Sequence, residues 1–127
     1  MKSFGRFVIH VLLPTALGAG IYLGWRSNDL LVFRWIDAVG LSDWIYRPQG
    51  TLPEVVLYSL PDGCWVYATT SWMLIIWGRV VAWVYVGLIL AVGAEVGQWA
   101  GFVPGTYDSL DMLFYIGGFA LARVLNA

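Results

Sequence analysis

Charged side chains are scarce in this sequence. Asp, Glu, Lys and Arg make up 12% of its 127 residues, about half the share found in a soluble domain. A soluble chain this short buries only part of its surface, so the composition excludes an ordinary cytosolic enzyme. It equally excludes a disordered segment, which would be polar and highly charged. Positive charge is not in excess either: seven Lys+Arg against eight Asp+Glu give a net charge of −1. The basic footprint that nucleic-acid binding requires is therefore missing. The lone cysteine, Cys64, excludes an internal disulfide and any cysteine-based zinc or iron–sulfur site. The lone histidine, His10, excludes an intrachain bis-histidine haem. No cofactor and no metal centre is expected.

What is abundant is apolar. Hydrophobic residues reach 60% and aromatic ones 17%, with eight Trp. The fold class expected is all-α: a small polytopic membrane protein, read as one domain over residues 1–127, with no repeat or linker dividing it. A spanning helix needs about 20 mainly apolar residues. Stretches almost free of charge place four of them at about residues 7–25, 63–78, 80–101 and 108–124. The first resembles a signal peptide, with Lys2 and Arg6 ahead of an apolar stretch and small residues at Ala16, Gly18 and Gly20. The expectation is a retained helix, kinked at Pro14 and able to pack closely through Gly20 and Gly24.

The segment 27–60 does not read as a span. Ser27 or Asn28 is placed to cap a short helix over 29–39 that stops at Gly40, and Ser42 to cap a turn ending at Arg47. Trp35, Trp44 and Tyr46 among charged neighbours give this segment the composition of helices lying in the headgroup layer. Lys2, Arg6, Arg79 and Arg123 fall on one side of the four spans, which predicts cytoplasmic N- and C-termini.

Ionisable residues inside spans are costly, and each is a functional-site hypothesis. Glu95 lies roughly 22 Å along the third span, counted from Val80 at about 1.5 Å per residue, below the outer surface. Gln98 shares its face, and Gly87 and Ala91 lie close to it. On the fourth span Asp108, Asp111, Tyr115, Gly118 and Ala122 recur at helical spacing on one side. A short connection makes these two helices antiparallel neighbours, so their polar faces converge near the outer surface. Asp62, expected at the start of the second span, stands at the same depth. Asp62 and Asp108 also suit helix capping, and Glu95 suits a simple hydrogen bond to Gln98 or Tyr115. The candidate ligand-binding set is Glu95, Gln98, Asp108, Asp111, Tyr115 and Asp62. Gly20, Gly24, Gly93, Gly97, Gly101 and Gly118 are the candidate helix-packing glycines.

The run Glu95-x-x-Gln98, Val103-Pro104-Gly105, Asp108-x-x-Asp111 and Gly118 resembles the VanZ-like family of small bacterial membrane proteins. Members carry E-x-x-Q on one helix, a Pro-Gly loop with an Arg, then an Asp and an Asn opening a glycine-containing last helix. Thr106 or Tyr107 stands where the loop Arg would be, and Tyr115 stands near the Asn. Of the family's Asp-Lys…His signature, Asp62 matches the Asp, Gly63 replaces the Lys and no His follows. The resemblance implies a multi-pass protein of the bacterial cytoplasmic (inner) membrane, in a family named for a member associated with glycopeptide-antibiotic resistance. It implies no settled reaction. Arg47 or Arg26 is the substitute this chain offers for the missing loop Arg.

Three functions follow as expectations. The first is a non-catalytic envelope protein that binds a lipid or lipid-linked amphiphile at the acidic cluster. The second is an accessory subunit of a larger membrane complex or homo-oligomer, packing through Gly93, Gly97 and Gly101. The third is an intramembrane enzyme using Glu95 or Asp111 as acid–base, or a metal held by Glu95, Asp108 and Asp111. No catalytic residue is assigned, because no nucleophile motif accompanies the acids.

Overall fold

The computed structural model describes residues 2–126, all of whose regular elements are helical. The first long rod is α1 (Lys2–Phe7), a π-turn over Val8–Leu12 and α2 (Leu13–Trp25). Pro14 lies just past the π-turn. A proline lacks the N–H for the regular helix bond and its ring crowds a carbonyl one turn back. Widening the preceding turn, so that the Leu13 N–H reaches the Val8 carbonyl, absorbs both defects. The same device recurs at Pro61. A π-turn over Val55–Ser59 runs straight into α4 (Leu60–Trp77), with the Leu60 N–H on the Val55 carbonyl.

That second device corrects the expected start of the second span. Pro61 and Asp62 read as a first turn, but the helix begins near Val55, so Asp62 sits well inside it. A proline two residues past a π-turn continues a helix instead of opening one. Between the rods, α3 (Leu31–Ala38) is followed by a 3-10 turn at Ser42–Trp44. The N-cap of α3 is Leu30, with no capping side chain. Ser27 instead binds the backbone N–H and carboxylate of Asp29. Gly40 closes the helix at φ +73 as expected, because a left-handed residue there carries no Cβ penalty when it is glycine.

The third expected span opens as a 3-10 turn at Ala82–Tyr85 and becomes α5 (Val86–Trp99). It stops at Gly101, φ +79, where Phe102 N–H reaches the Gly97 carbonyl (2.8 Å) and Gly101 N–H the Gln98 carbonyl (3.1 Å). These two bonds form a Schellman cap. Gly101 therefore ends the helix and does not pack against another. After a short loop, the Asp108 carboxylate accepts the Leu110 N–H at 2.8 Å and starts α6 (Ser109–Leu125).

α4 stands at the centre, against α2, α5 and α6. Its inner sides are therefore mostly small or polar: Gly63, Ala68, Thr70 and Ser71 are buried, beside the larger Val66 and Leu74. The tightest crossing is α4 on α6, where a Cβ on Gly118 would fall 2.5 Å from the Gly63 carbonyl oxygen. Gly18 on α2 is the next close approach to α4, 3.2 Å from the Pro61 carbonyl oxygen by the same measure. The glycines expected to pack there do not: Gly20 faces open space and Gly24 meets the Pro48 ring. Val66, Ala91 and Tyr115 form the inner apolar cluster, flanked by Leu88, Val92, Met112 and Phe119.

Several polar side chains lie inside, and many large apolar ones lie outside. Ser59, Thr70, Ser71, Glu95 and Asn126 are buried, while Ile9, Leu17, Ile76, Ile89, Leu113 and Leu121 are more than half exposed. Ser3–Trp25 and Ala82–Trp99 are long and apolar enough to cross a membrane by length and composition.

Candidate functional site

Toward the end of the bundle that holds the 100–108 loop, two helices bring acids onto a hydroxyl supplied by a third. Tyr115 on α6 points between α4 and α5. Its Oη lies 3.3 Å from Asp62 Oδ2 and 3.4 Å from Glu95 Oε1. A phenol donates one proton, so it serves only one of the two carboxyls at a time. Both contacts are long for an O–H···O bond, whose usual length is about 2.7–2.8 Å. The cluster thus has acceptor capacity left over for a donor from outside.

Glu95 is 4% exposed, and its second oxygen accepts the Asp108 backbone N–H at 3.2 Å. The side chain therefore ties α5 to the N-terminal end of α6, where the positive end of the helix dipole favours a carboxylate. From the sequence Glu95 had no helix end to serve; the neighbouring helix supplies one. Asp111 is held by Ser59, whose Oγ donates to Oδ1 at 2.6 Å. Ser59 escaped the sequence reading, although its spacing of three from Asp62 places both on one face of the helix.

The six expected ligand-binding residues thus divide. Asp62, Glu95, Asp111 and Tyr115 come together, and Asp108 joins through its backbone N–H while its carboxylate caps α6. Gln98 stands apart under the loop, where its amide packs against Gly105 so closely that a Cβ there would lie 2.5 Å from Nε2. Its Oε1 is buried and has no hydrogen-bond partner among the described residues. Of the packing glycines on this side, Gly97 meets Val103 of its own loop and Gly93 faces open space.

Neither arginine offered for the missing loop Arg reaches the acids by hydrogen bond. Arg47 is bound to the Asn28 side chain and the Arg26 carbonyl, and lies over the Phe33 ring. Arg26 lies over the rings of Tyr22 (5.1 Å) and Tyr58 (4.6 Å). Asp62 also forms part of the wall of a groove of about 380 Å³ between α2 and α4, with Pro14, Gly18, Tyr22 and Trp65. Among the described residues, no group of three or more His, Cys, Asp or Glu is arranged to hold a metal ion.

A second polar network occupies the opposite end. The Arg6 guanidinium donates to the Asn126 carbonyl at 3.1 Å, and the Asn126 amide donates to Ser71 Oγ at 3.0 Å. Nearby, His10 Nδ1 and Tyr67 Oη are 2.5 Å apart. Ser71 and Asn126 gave no sequence signal, since each is a single uncharged residue without a spaced partner. On the same helix the Thr69 hydroxyl turns instead to the backbone carbonyls of Trp65 and Val66.

Compared with protein-family models, with curated proteins and with solved structures, the chain matches none of them.

Proposed function

We propose that the chain is a non-catalytic, VanZ-like protein of the bacterial inner membrane that binds a lipid or lipid-linked amphiphile at its acidic cluster. In this reading all four long helices cross the bilayer, both termini are cytoplasmic, and the cluster lies in the outer leaflet. α3 and the 3-10 turn lie in the headgroup layer, where Trp35, Trp44 and Tyr46 are exposed.

The observation that carries the reading is the position of Asp62. It belongs to a carboxyl cluster with too few donors and also faces a groove open to the bundle's exterior. In hydrocarbon such a group has no water to turn to, so a headgroup carrying hydroxyl or ammonium donors is its natural partner. The charge distribution supports the orientation. Lys2, Arg6, Arg79 and Arg123 gather at one end, and all eight acids lie toward the other.

The test is native mass spectrometry of the protein extracted gently from its own membrane, as wild type, Glu95→Gln and Asp111→Asn. The wild type is expected to carry a stoichiometric lipid-sized adduct that both variants lose while remaining folded. An absent adduct, or one unchanged in both variants, overturns the reading.

A second reading, an accessory subunit, is favoured by the bare face of α5. Ile89, Leu90 and Val96 are exposed around Gly93, a surface on which another helix packs closely. Mild extraction would then yield a larger assembly, and a lone monomer would sink this reading.

A further inference from the structure

The groove beside Asp62 has an order along its length that selects among amphiphiles. Gly18 lies against Pro61, which sets Asp62 level with the middle of α2. One turn inward the walls are Pro14, Thr15 and Trp65, which offer an alkyl chain apolar contact. On the outward side Tyr22 lines the groove, and the Arg26 guanidinium lies over its ring and that of Tyr58. From inside to outside the groove therefore presents an apolar slot and a hydrogen-bond acceptor, with a cation just beyond it, over the ring of its lining residue Tyr22.

A ligand that matches all three in sequence has a single chain, then a hydroxyl donor, then a phosphate. A diacyl phospholipid fails at the second position, because the glycerol oxygen there is esterified and donates nothing. A polyprenyl phosphate fails for the same reason, having no hydroxyl between chain and phosphate. In a lysophospholipid the free glycerol hydroxyl is separated from the phosphorus by two carbons and one ester oxygen, so chain, hydroxyl and phosphate follow one another in the order that the groove and Arg26 present. Asp62, Glu95 and Asp111 also stand close together, and like charges raise the cost of any extra negative headgroup.

We propose that the groove binds a zwitterionic lysophospholipid, with its glycerol hydroxyl donating to Asp62 and its phosphate paired with Arg26. This rests on the amphiphile-binding function proposed above and names the class of its ligand. No covalent step is involved. Asp62 supplies the charge-assisted acceptor that distinguishes a free hydroxyl from an ester, and Arg26 supplies affinity without that distinction.

The purified full-length chain in detergent micelles is titrated with lysophosphatidylethanolamine, its 2-deoxy analogue and diacyl phosphatidylethanolamine, with occupancy read by native mass spectrometry. The wild type is expected to prefer the hydroxyl-bearing lipid by about tenfold over both others, the factor that corresponds to ~1.4 kcal/mol. Asp62→Ala is expected to erase that preference. Arg26→Gln is expected to weaken lysophosphatidylethanolamine and the deoxy analogue alike while keeping it. Equal binding of the hydroxyl and deoxy lipids by the wild type overturns the proposal without reference to any variant. A preference that survives in Asp62→Ala, or affinities unmoved in Arg26→Gln, overturns the assigned contacts. Failure to bind any of the three while an endogenous amphiphile co-purifies overturns this ligand class alone. If no amphiphile of any kind is retained, the function proposed above falls with it.

Discussion

Ser59 and Asp111, separated by 52 positions, meet at 2.6 Å across the junction of α4 and α6. Ser59 is 1% exposed, and its hydroxyl is the one donor that the described residues give the Asp111 carboxylate. Hydrogen bonds to charged groups contribute about 1.5–3 kcal/mol, and an abandoned buried partner costs at least as much. Ser59→Ala is therefore expected to destabilise the protein by ~2 kcal/mol in denaturant unfolding in micelles. Asp111→Asn should cost less when Ser59 is already Ala. Strict additivity in that double-mutant cycle would show that the two side chains do not act together.

Gly117 and Gly118 are adjacent on α6 and should respond oppositely to the same change. A Cβ at Gly118 would fall 2.5 Å from the Gly63 carbonyl oxygen, a backbone atom that cannot swing aside, whereas a Cβ at Gly117 meets nothing within 4 Å. Gly118→Ala must push α4 and α6 apart, an overpacking cost of about 1–3 kcal/mol or more. Gly117→Ala should be neutral or stabilising, because alanine is the better helix former. Thermal stability of the two variants in one detergent decides the matter, and equal losses would refute the crossing.

Much of this site was legible because carboxylates and helix spacing are strong signals. The stripe from Asp108 to Gly118 and the short connection back to Glu95 already placed two polar faces together, and the Asp108 cap and the stop at Gly40 follow from local chemistry. What stayed hidden depends on partners far along the chain. Pro61 looked like the first turn of a helix because the π-turn that accommodates it has no sequence signature of its own. Gly18 and Gly20 are indistinguishable until α4 is seen to lie on one side of α2. Gly97 and Gly101 carry helix-packing spacing, yet the loop that follows uses one for Val103 and the other for a left-handed turn. Ser71 and Asn126 become a network only when the end of α6 folds back beside α4.

Glu95 holds the α5–α6 loop through the Asp108 N–H and the Tyr115 hydroxyl. Glu95→Ala removes both acceptors, whereas Glu95→Gln keeps an acceptor oxygen of similar reach. The loop contains Phe102, 88% exposed, and the partly exposed Tyr107, which make it a substrate for chymotrypsin once it opens. Limited proteolysis is expected to cut Glu95→Ala several-fold faster than wild type, about as expected for a loss of ~1 kcal/mol in closure. Glu95→Gln should lie between them. Identical cleavage rates in all three proteins would mean that the loop is held by other contacts.

The proposed four-span topology can be read from two loops. Arg6 bonds the Asn126 carbonyl and Arg123 donates to Tyr85 at 3.2 Å, so both chain ends and the turn after α4 share one end of the bundle. The Glu95–Asp108 contact fixes the 100–108 loop at the other. Four of the seven basic residues stand at the first end with no acid among them, which predicts that this end stays in the cytoplasm. Single cysteines are placed at Arg79→Cys or Thr106→Cys in a Cys64→Ser background, since Cys64 is itself only partly buried. In intact cells stripped of their outer envelope, a membrane-impermeant maleimide is expected to label the Thr106→Cys protein at once. The Arg79→Cys protein should react only after the membrane is opened. The reverse pattern would invert the orientation and place the acidic cluster in the cytoplasmic leaflet. Labelling of both from outside would mean that α5 does not cross, and a bundle whose third long helix stays on one side cannot hold Asp62, Glu95 and Asp111 at one depth of a bilayer.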